Sequence, residues 1–170
     1  MIKRPKIAIV GAGGAVGAAV AQWAAVKELG ELVLIDLKGN VAKGRALDLT
    51  QCSPFESFNS TSFVAGEDPA LMKDADVVVM TAGVPRKPGQ SREELININA
   101  GIVRDICVNV KTHAPNAILI VVSNPLDAMV YVAKQVTGFP RERVIGMAGI
   151  LDSSRFRTNI AFAVGASVED

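Results

Sequence analysis

The sequence predicts an α/β fold: a doubly wound, six-stranded parallel sheet that runs into the first helix of an incomplete second domain. Three observations predict it. Short, near-continuous apolar runs rich in β-branched residues recur along the chain. Helical patterns separate them, and that alternation indicates a parallel sheet covered on both faces. The first run, Ile7–Val10, stops at Gly11-Ala-Gly-Gly-Ala-Val-Gly17 and passes directly into an alanine-rich segment.

Taken in order, the first strand is Lys6–Val10. A helix over 16–29 follows the glycines, with Gly30 as its stop signal. The remaining strands are Leu32–Ile35, a weak Ser62–Ala65, Val77–Thr81, Ile118–Val122 and a short Val144–Gly146. The connecting helices fall at Val41–Gln51, Pro69–Lys73, Arg92–His113 and Leu126–Val136. Two prolines and two glycines force Gly83-Val-Pro-Arg-Lys-Pro-Gly89 to be a loop. Ser123-Asn-Pro125 ends the fifth strand, and Pro125 can serve as a first helical residue. A last helix, Leu151–Val164, is apolar on one face and needs something to pack on. The expected division is 1–149 for the sheet domain and 150–170 for the start of the second.

Composition narrows the function classes. The chain has 170 residues, 49% hydrophobic and 21% charged, enough for one sizeable core. A net charge of +1 gives no argument for nucleic acid or an anionic membrane surface as partner. No apolar run reaches the ~18 residues of a membrane span. Met1-Ile-Lys-Arg-Pro5 leads straight into the first strand, so no signal peptide is expected. Cys52 and Cys107 lie far apart, outside any metal-ligand spacing. They suit a reduced, cytoplasmic setting as buried or half-buried small hydrophobes, and no metal is expected.

The glycine stretch reads as strand, tight turn and helix start. Such a turn has no side chains to block a phosphate, and the helix start offers unpaired N–H groups and a positive dipole end. Gly11-x-Gly13 begins the six-residue dinucleotide fingerprint, but Val16 stands where its last glycine belongs. Counting Gly11, Gly14 and Gly17 gives a version one residue longer, so either Gly13 or Gly14 can approach a pyrophosphate most closely. A plain β–α turn is the simpler alternative. Asp36 ends the second strand about 20 residues beyond the glycines, where a carboxylate accepts both ribose hydroxyls of NAD and repels the 2′-phosphate of NADP. Thr81-Ala-Gly83 ends the fourth strand with small residues and faces the same crevice, unless it merely turns the chain.

Three further stretches go beyond a nucleotide fold: Gly83–Leu95, Ser123-Asn-Pro-Leu-Asp127 and Leu151-Asp-Ser-Ser-Arg155. With the glycine loop, Gly44-Arg-Ala-Leu-Asp-Leu49 and Gly138–Gly146, they resemble the malate dehydrogenases of the lactate/malate dehydrogenase family over the whole chain. The resemblance implies a Rossmann-like domain, NAD as cofactor, and reversible hydride transfer between malate and oxaloacetate. It implies that Arg155 clamps the 1-carboxylate of the substrate and Arg86 its distal carboxylate. A lactate dehydrogenase carries glutamine at the position of Arg86. Arg92 would polarise the substrate carbonyl as a mobile loop closes, and Asn124 would bond substrate and nicotinamide ribose. Asp152 would orient a catalytic histidine, while Val122 and Asn99 would touch cofactor. Each has a simpler alternative: solvated charge for the arginines, a helix cap for Asn124 and Asp152, helix polarity for Asn99. The family's homodimers or homotetramers associate through helices matching 41–51 and 151–164.

One piece is missing from the residues given. Reducing a ketone needs a proton donor, commonly a histidine with a pKa near neutrality. The only histidine, His113, ends a long helix before Ala-Pro, with no partner motif around it. The family's catalytic histidine lies in a Gly-x-His-Gly-Asp motif beyond the Asp-x-x-Arg helix, and the sequence stops before one. The expectation is a chain that binds cofactor but is inactive alone. The alternatives are another 2-hydroxy acid dehydrogenase and a non-catalytic NAD-binding module.

Overall fold

The computed structural model describes residues 4–58 and 63–169. Its strands are β1 (Lys6–Val10), β2 (Glu31–Ile35), β3 (Val64–Gly66), β4 (Val77–Met80), β5 (Ile118–Val121) and β6 (Val144–Gly146). All pair in parallel, in the order β3-β2-β1-β4-β5-β6. The chain winds outward from β1 to β3, returns to the middle for β4, and winds the other way. The reversal lies between β1 and β4, where Val10 stands opposite Met80. In such sheets the crevice beyond the carboxyl ends at this point takes the ligand.

Side-chain alternation along the strands builds two cores. Val10, Ile35, Val78 and Met80 face one, closed by Val103, Cys107 and Val110 of α3 (Arg92–His113) and Met129 and Ala133 of α4 (Leu126–Thr137). Ile7, Ile9, Leu32 and Leu34 face the other. There α1 (Ala15–Val26) contributes Ala21, Ala24 and Ala25, and α2 (Gly39–Glu56) contributes Ala42 and Ala46. These short side chains let both helices lie close to the sheet. Ile9 and Leu34 are fully buried, each stabilising the fold by about 1.5–3 kcal/mol.

The elements depart from expectation where local chemistry overrides a simple signal. Helix α1 stops at Val26, short of Leu29. Glu28 takes the left-handed conformation at φ 50°, donating to Ala25 O, while Leu29 N donates to Ala24 O. That is a helix-ending motif with glutamate in the usual glycine position. Gly30 is therefore not the stop; a Cβ there would stand 2.1 Å from Pro5 O, so Gly30 admits the strand-leading backbone. Helix α2 runs on past Gln51 through Pro54. Pro54 cannot donate to Thr50 O, and Ser53 Oγ does so instead at 3.0 Å. The third strand is Val64–Gly66 rather than Ser62–Ala65, and Ser62 lies outside the described residues.

Helix α3 is closed at its start by a reciprocal cap: Ser91 Oγ accepts from Glu94 N, and Glu94 Oε2 accepts from Ser91 N. Pro125 is the residue before α4, not its first, and follows a cis peptide from Asn124. Asn124 therefore does not cap that helix. Past β6, α5 (Gly149–Val164) buries only Ala161, leaving Phe156 and Phe162 exposed. Cys107 is buried as expected, but Cys52 is exposed on α2. Among the described residues no helix is long and apolar enough to cross a membrane.

Candidate functional site

A cleft of about 420 Å³ opens over the carboxyl ends of β1, β2 and β4. Gly11 and Gly14 form part of its wall, with Asp36 beyond β2 and Thr81, Ala82 and Gly83 beyond β4. Gly11 turns the chain at φ 90°, a left-handed conformation that disfavours any side chain. A Cβ there would also stand 2.7 Å from Ala82 N. Thr81 Oγ1 fastens β4 to this turn, within hydrogen-bonding reach of Val10 O at 3.0 Å and Gly11 O at 3.2 Å. At Gly17 a Cβ would lie 2.2 Å from Gly11 O, so the absent side chain seats α1 against the strand end.

The two candidate glycines of the turn are engaged differently. Gly13 donates its N–H to Asp36 Oδ2 at 2.9 Å. Gly14 precedes the first residue of α1 and donates to Gly11 O at 3.1 Å. The N–H groups of Ala15, Val16 and Gly17 have no acceptor among the described residues. The donors left for an anion are thus those of the first helical turn, and Gly13 and Gly14 keep the approach to them clear. Asp36 Oδ1 accepts from Lys38 N at 3.0 Å. Held by a donor at each oxygen, the half-buried carboxylate faces the cleft.

Asn99, nearly fully buried on α3, does not line the cleft. Its Oδ1 accepts from Val84 N at 2.9 Å, and its Nδ2 donates to Val84 O at 3.2 Å and Asn124 O at 2.7 Å. It thereby holds the loop after β4 beside the loop after β5. Buried Ser123 strengthens the junction, its Oγ donating to Ala82 O. Val122 is half-buried at the end of β5, and Asn124 is exposed beyond it.

Arg86 and Arg92 are exposed on the loop and helix start that follow β4. Arg86 Nε donates to Gln90 O at 3.0 Å, and Gln90 Oε1 accepts from Lys87 N. Asp152 and Arg155 form an exposed pair, 3.5 Å apart, on the first turns of α5. Asp152 lies three residues inside the helix, so it is not its cap. The described residues show no hydrogen bond or ion pair joining the arginines to the cleft. His113, at the end of α3 and one turn beyond Asn109, does not line the cleft; its carbonyl accepts from Asp74 N before β4 begins.

The structure adds wall residues that strand-end reasoning missed. Ile102, Asp105, Ile106 and Asn109 line the cleft from α3, and Leu37 and Glu67 line it beyond β2 and β3. The four on α3 are spaced at i, i+3, i+4 and i+7, one face of a helix. That spacing was available in the sequence, but nothing in it says that this face meets the cleft. Met72 and Pro69, from the turn Pro69–Met72, close the apolar side.

A glycine turn at the switch point of a parallel sheet, a fixed carboxylate past the second strand and unpaired helix-start donors define a dinucleotide-binding domain. The described residues fit such a cofactor, with a side-chain-free approach for phosphates and an acceptor placed for a ribose. The chain belongs to the lactate/malate dehydrogenase family, whose NAD-binding-domain model matches residues 5–146. It is 51% identical over 167 residues to a malate dehydrogenase of Roseiflexus sp., covering 98% of this chain and 53% of that protein. It is 48% identical to one of Syntrophotalea carbinolica, covering 98% and 52%. The malate dehydrogenase structure of Cryptosporidium parvum superposes with a TM-score of 0.92 at 41% identity, covering 98% of this chain and 52% of that one. That organism's lactate dehydrogenase, complexed with lactic acid and NAD, gives 0.92 at 39%, covering 100% and 53%. The chain spans about half the length of the curated relatives it matches.

Proposed function

We propose that this chain is the cofactor-binding part of an NAD-dependent malate dehydrogenase, which interconverts (S)-malate and oxaloacetate. The observation that carries this reading is the position of Arg86. It rises from the loop after β4, the strand whose end supplies Thr81, Ala82 and Gly83 to the cleft. A planar guanidinium there meets a second substrate carboxylate with two parallel hydrogen bonds, and the 47–51% identities to malate dehydrogenases support the assignment.

NAD, when bound, supplies the hydride acceptor or donor. The residues of the chain bind and orient. Gly11, Gly13, Gly14 and Gly17 admit the pyrophosphate to the α1 N–H donors, and Asp36 accepts the adenine-ribose hydroxyls. Leu37, Ile102 and Ile106 offer an apolar slot for the base. Thr81, Ala82, Gly83 and Val122 flank the cofactor, and Asn99 sets Asn124 beside it. Arg155 clamps the reacting carboxylate, Arg92 polarises the carbonyl, and Asp152 positions a histidine. His113, outside the cleft lining and with no carboxylate partner among the described residues, is not assigned that role. Residues 1–149 then form the NAD-binding domain and 150–170 begin the catalytic domain. The exposed faces of α2 and α5, with Phe55, Phe156 and Phe162, support a homodimer or homotetramer.

The test is Arg86→Gln in the protein that carries the catalytic half. Losing a charged pair worth about 1.5–3 kcal/mol shifts the ratio of specificity constants from oxaloacetate toward pyruvate by roughly ten- to a hundredfold. An unchanged ratio would favour the second reading, a 2-hydroxy acid dehydrogenase of other specificity. The superposition on a lactate dehydrogenase is what keeps that reading open.

A further inference from the structure

We infer that Glu67 is a second carboxylate that selects the cofactor's adenosine end, acting beside Asp36 to reject a 2′-phosphate. This rests on the NAD reading and extends it to a residue of β3's outgoing turn. Asp36 and Glu67 are neighbours across two parallel strands. Ile35 stands opposite Gly66 in the ladder, and Asp36 N donates to Gly66 O at 3.1 Å. Both residues line the same cleft. The Glu67 carboxylate lies over the start of α2, since a Cβ on Gly39 would be 3.2 Å from Glu67 Oε2.

A phosphate on the ribose hydroxyl beside Asp36 must pass over residues 37–39, between these two carboxylates. A phosphate monoester carries nearly two negative charges, and the half-buried Asp36 and exposed Glu67 carboxylates both repel it, Glu67 through a salt-screened interaction. No lysine or arginine lines the cleft, and Lys38, the one cation of the 37–39 turn, is exposed. Asp36 is fixed by its two backbone donors and meets the ribose hydroxyls; Glu67 makes no demand on an unphosphorylated ribose. Its effect is therefore one of exclusion, and it survives replacement of Asp36.

Calorimetric titration of this chain with ADP-ribose and with 2′-phospho-ADP-ribose tests the inference. The wild-type chain prefers ADP-ribose. Glu67→Gln narrows that preference about tenfold, and Glu67→Lys narrows it further, about a hundredfold. Both shifts shrink in ~0.5 M salt, as charge repulsion does and a packing change does not. In an Asp36→Ser background, Glu67→Gln narrows the preference again. Preferences within about twofold of the parent in both Glu67 variants overturn the inference while leaving the NAD reading intact. Binding of neither probe by the wild-type chain overturns the NAD reading, and this inference with it.

Discussion

Gly13 gives its backbone N–H to the carboxylate of Asp36 at 2.9 Å, although the two stand 23 residues apart. The bond joins the glycine turn after β1 to the end of β2, so the approach to the α1 start and the Asp36 carboxylate are set by one contact. A side chain at position 13 would strike the same carboxylate, its Cβ 2.9 Å from Oδ2. Gly13→Ala is thus expected to displace Asp36 and weaken NADH binding with little loss of stability. Paired titration and urea unfolding would separate the two effects. An unfolding midpoint that falls while NADH affinity holds would contradict the role given to this contact.

Glycines of this chain divide by what surrounds them. Gly17 faces backbone, with Gly11 O at 2.2 Å from a would-be Cβ, so Gly17→Ala must push α1 off β1 at a cost of about 1–3 kcal/mol. Gly44 lies mid-helix on α2 with nothing within 4 Å. There alanine is expected to stabilise the chain by about 0.5–1 kcal/mol. Denaturant unfolding of the two variants checks the opposite signs.

The cap at the start of α3 fixes the helix that follows the Arg86 loop. Ser91→Ala removes the acceptor of Glu94 N and is expected to cost about 1 kcal/mol. Hydrogen exchange is expected to rise first at residues 92–95, with the sheet amides unaffected.

Asn99→Ala strips partners from Val84 N, Val84 O and Asn124 O together. Leaving such groups unpaired costs about 1–3 kcal/mol, measurable as a lowered unfolding midpoint. Asn99→Asp keeps the acceptor for Val84 N but sets a carboxylate against two carbonyls. It is expected to be no better than alanine.

The two thiols differ in reach and in acidity. Burial pushes the Cys107 thiol from 9.0 up to about 12. A neutral-pH thiol reagent is expected to label exposed Cys52 in the native chain and Cys107 only after unfolding. Above pH 9 the unfolded state releases the Cys107 proton while the folded state retains it, so the unfolded state binds fewer protons. Stability therefore falls as pH rises from 9 toward 12, by up to about 1.4 kcal/mol per pH unit from this group. A Cys107→Ala variant, measured over the same range, is expected to lose that part of the slope.

Much of this was legible in the sequence because the strongest signals are local. The Ile7–Val10 run, the glycines after it and Asp36 at the next strand end identify a β–α–β unit, and the order of strands and helices followed. Signals that depend on a distant neighbour were not legible. Gly30 reads as a helix stop, yet its reason is the Pro5 carbonyl. Glu28 took the left-handed position that composition assigns to glycine. The hydrogen bonds by which Asn99 joins Val84 to Asn124 have no counterpart in the sequence pattern. The cleft-facing side of α3 and Glu67 could be found only once the sheet had been assembled.

The most direct measurement is a fluorescence titration of this chain with NADH, repeated with Asp36→Ala. Binding by the wild-type chain is expected, with an affinity at least about tenfold lower in the variant, the loss of one charge-assisted acceptor. Equal affinity in the two chains would contradict the placing of the adenosine ribose at Asp36.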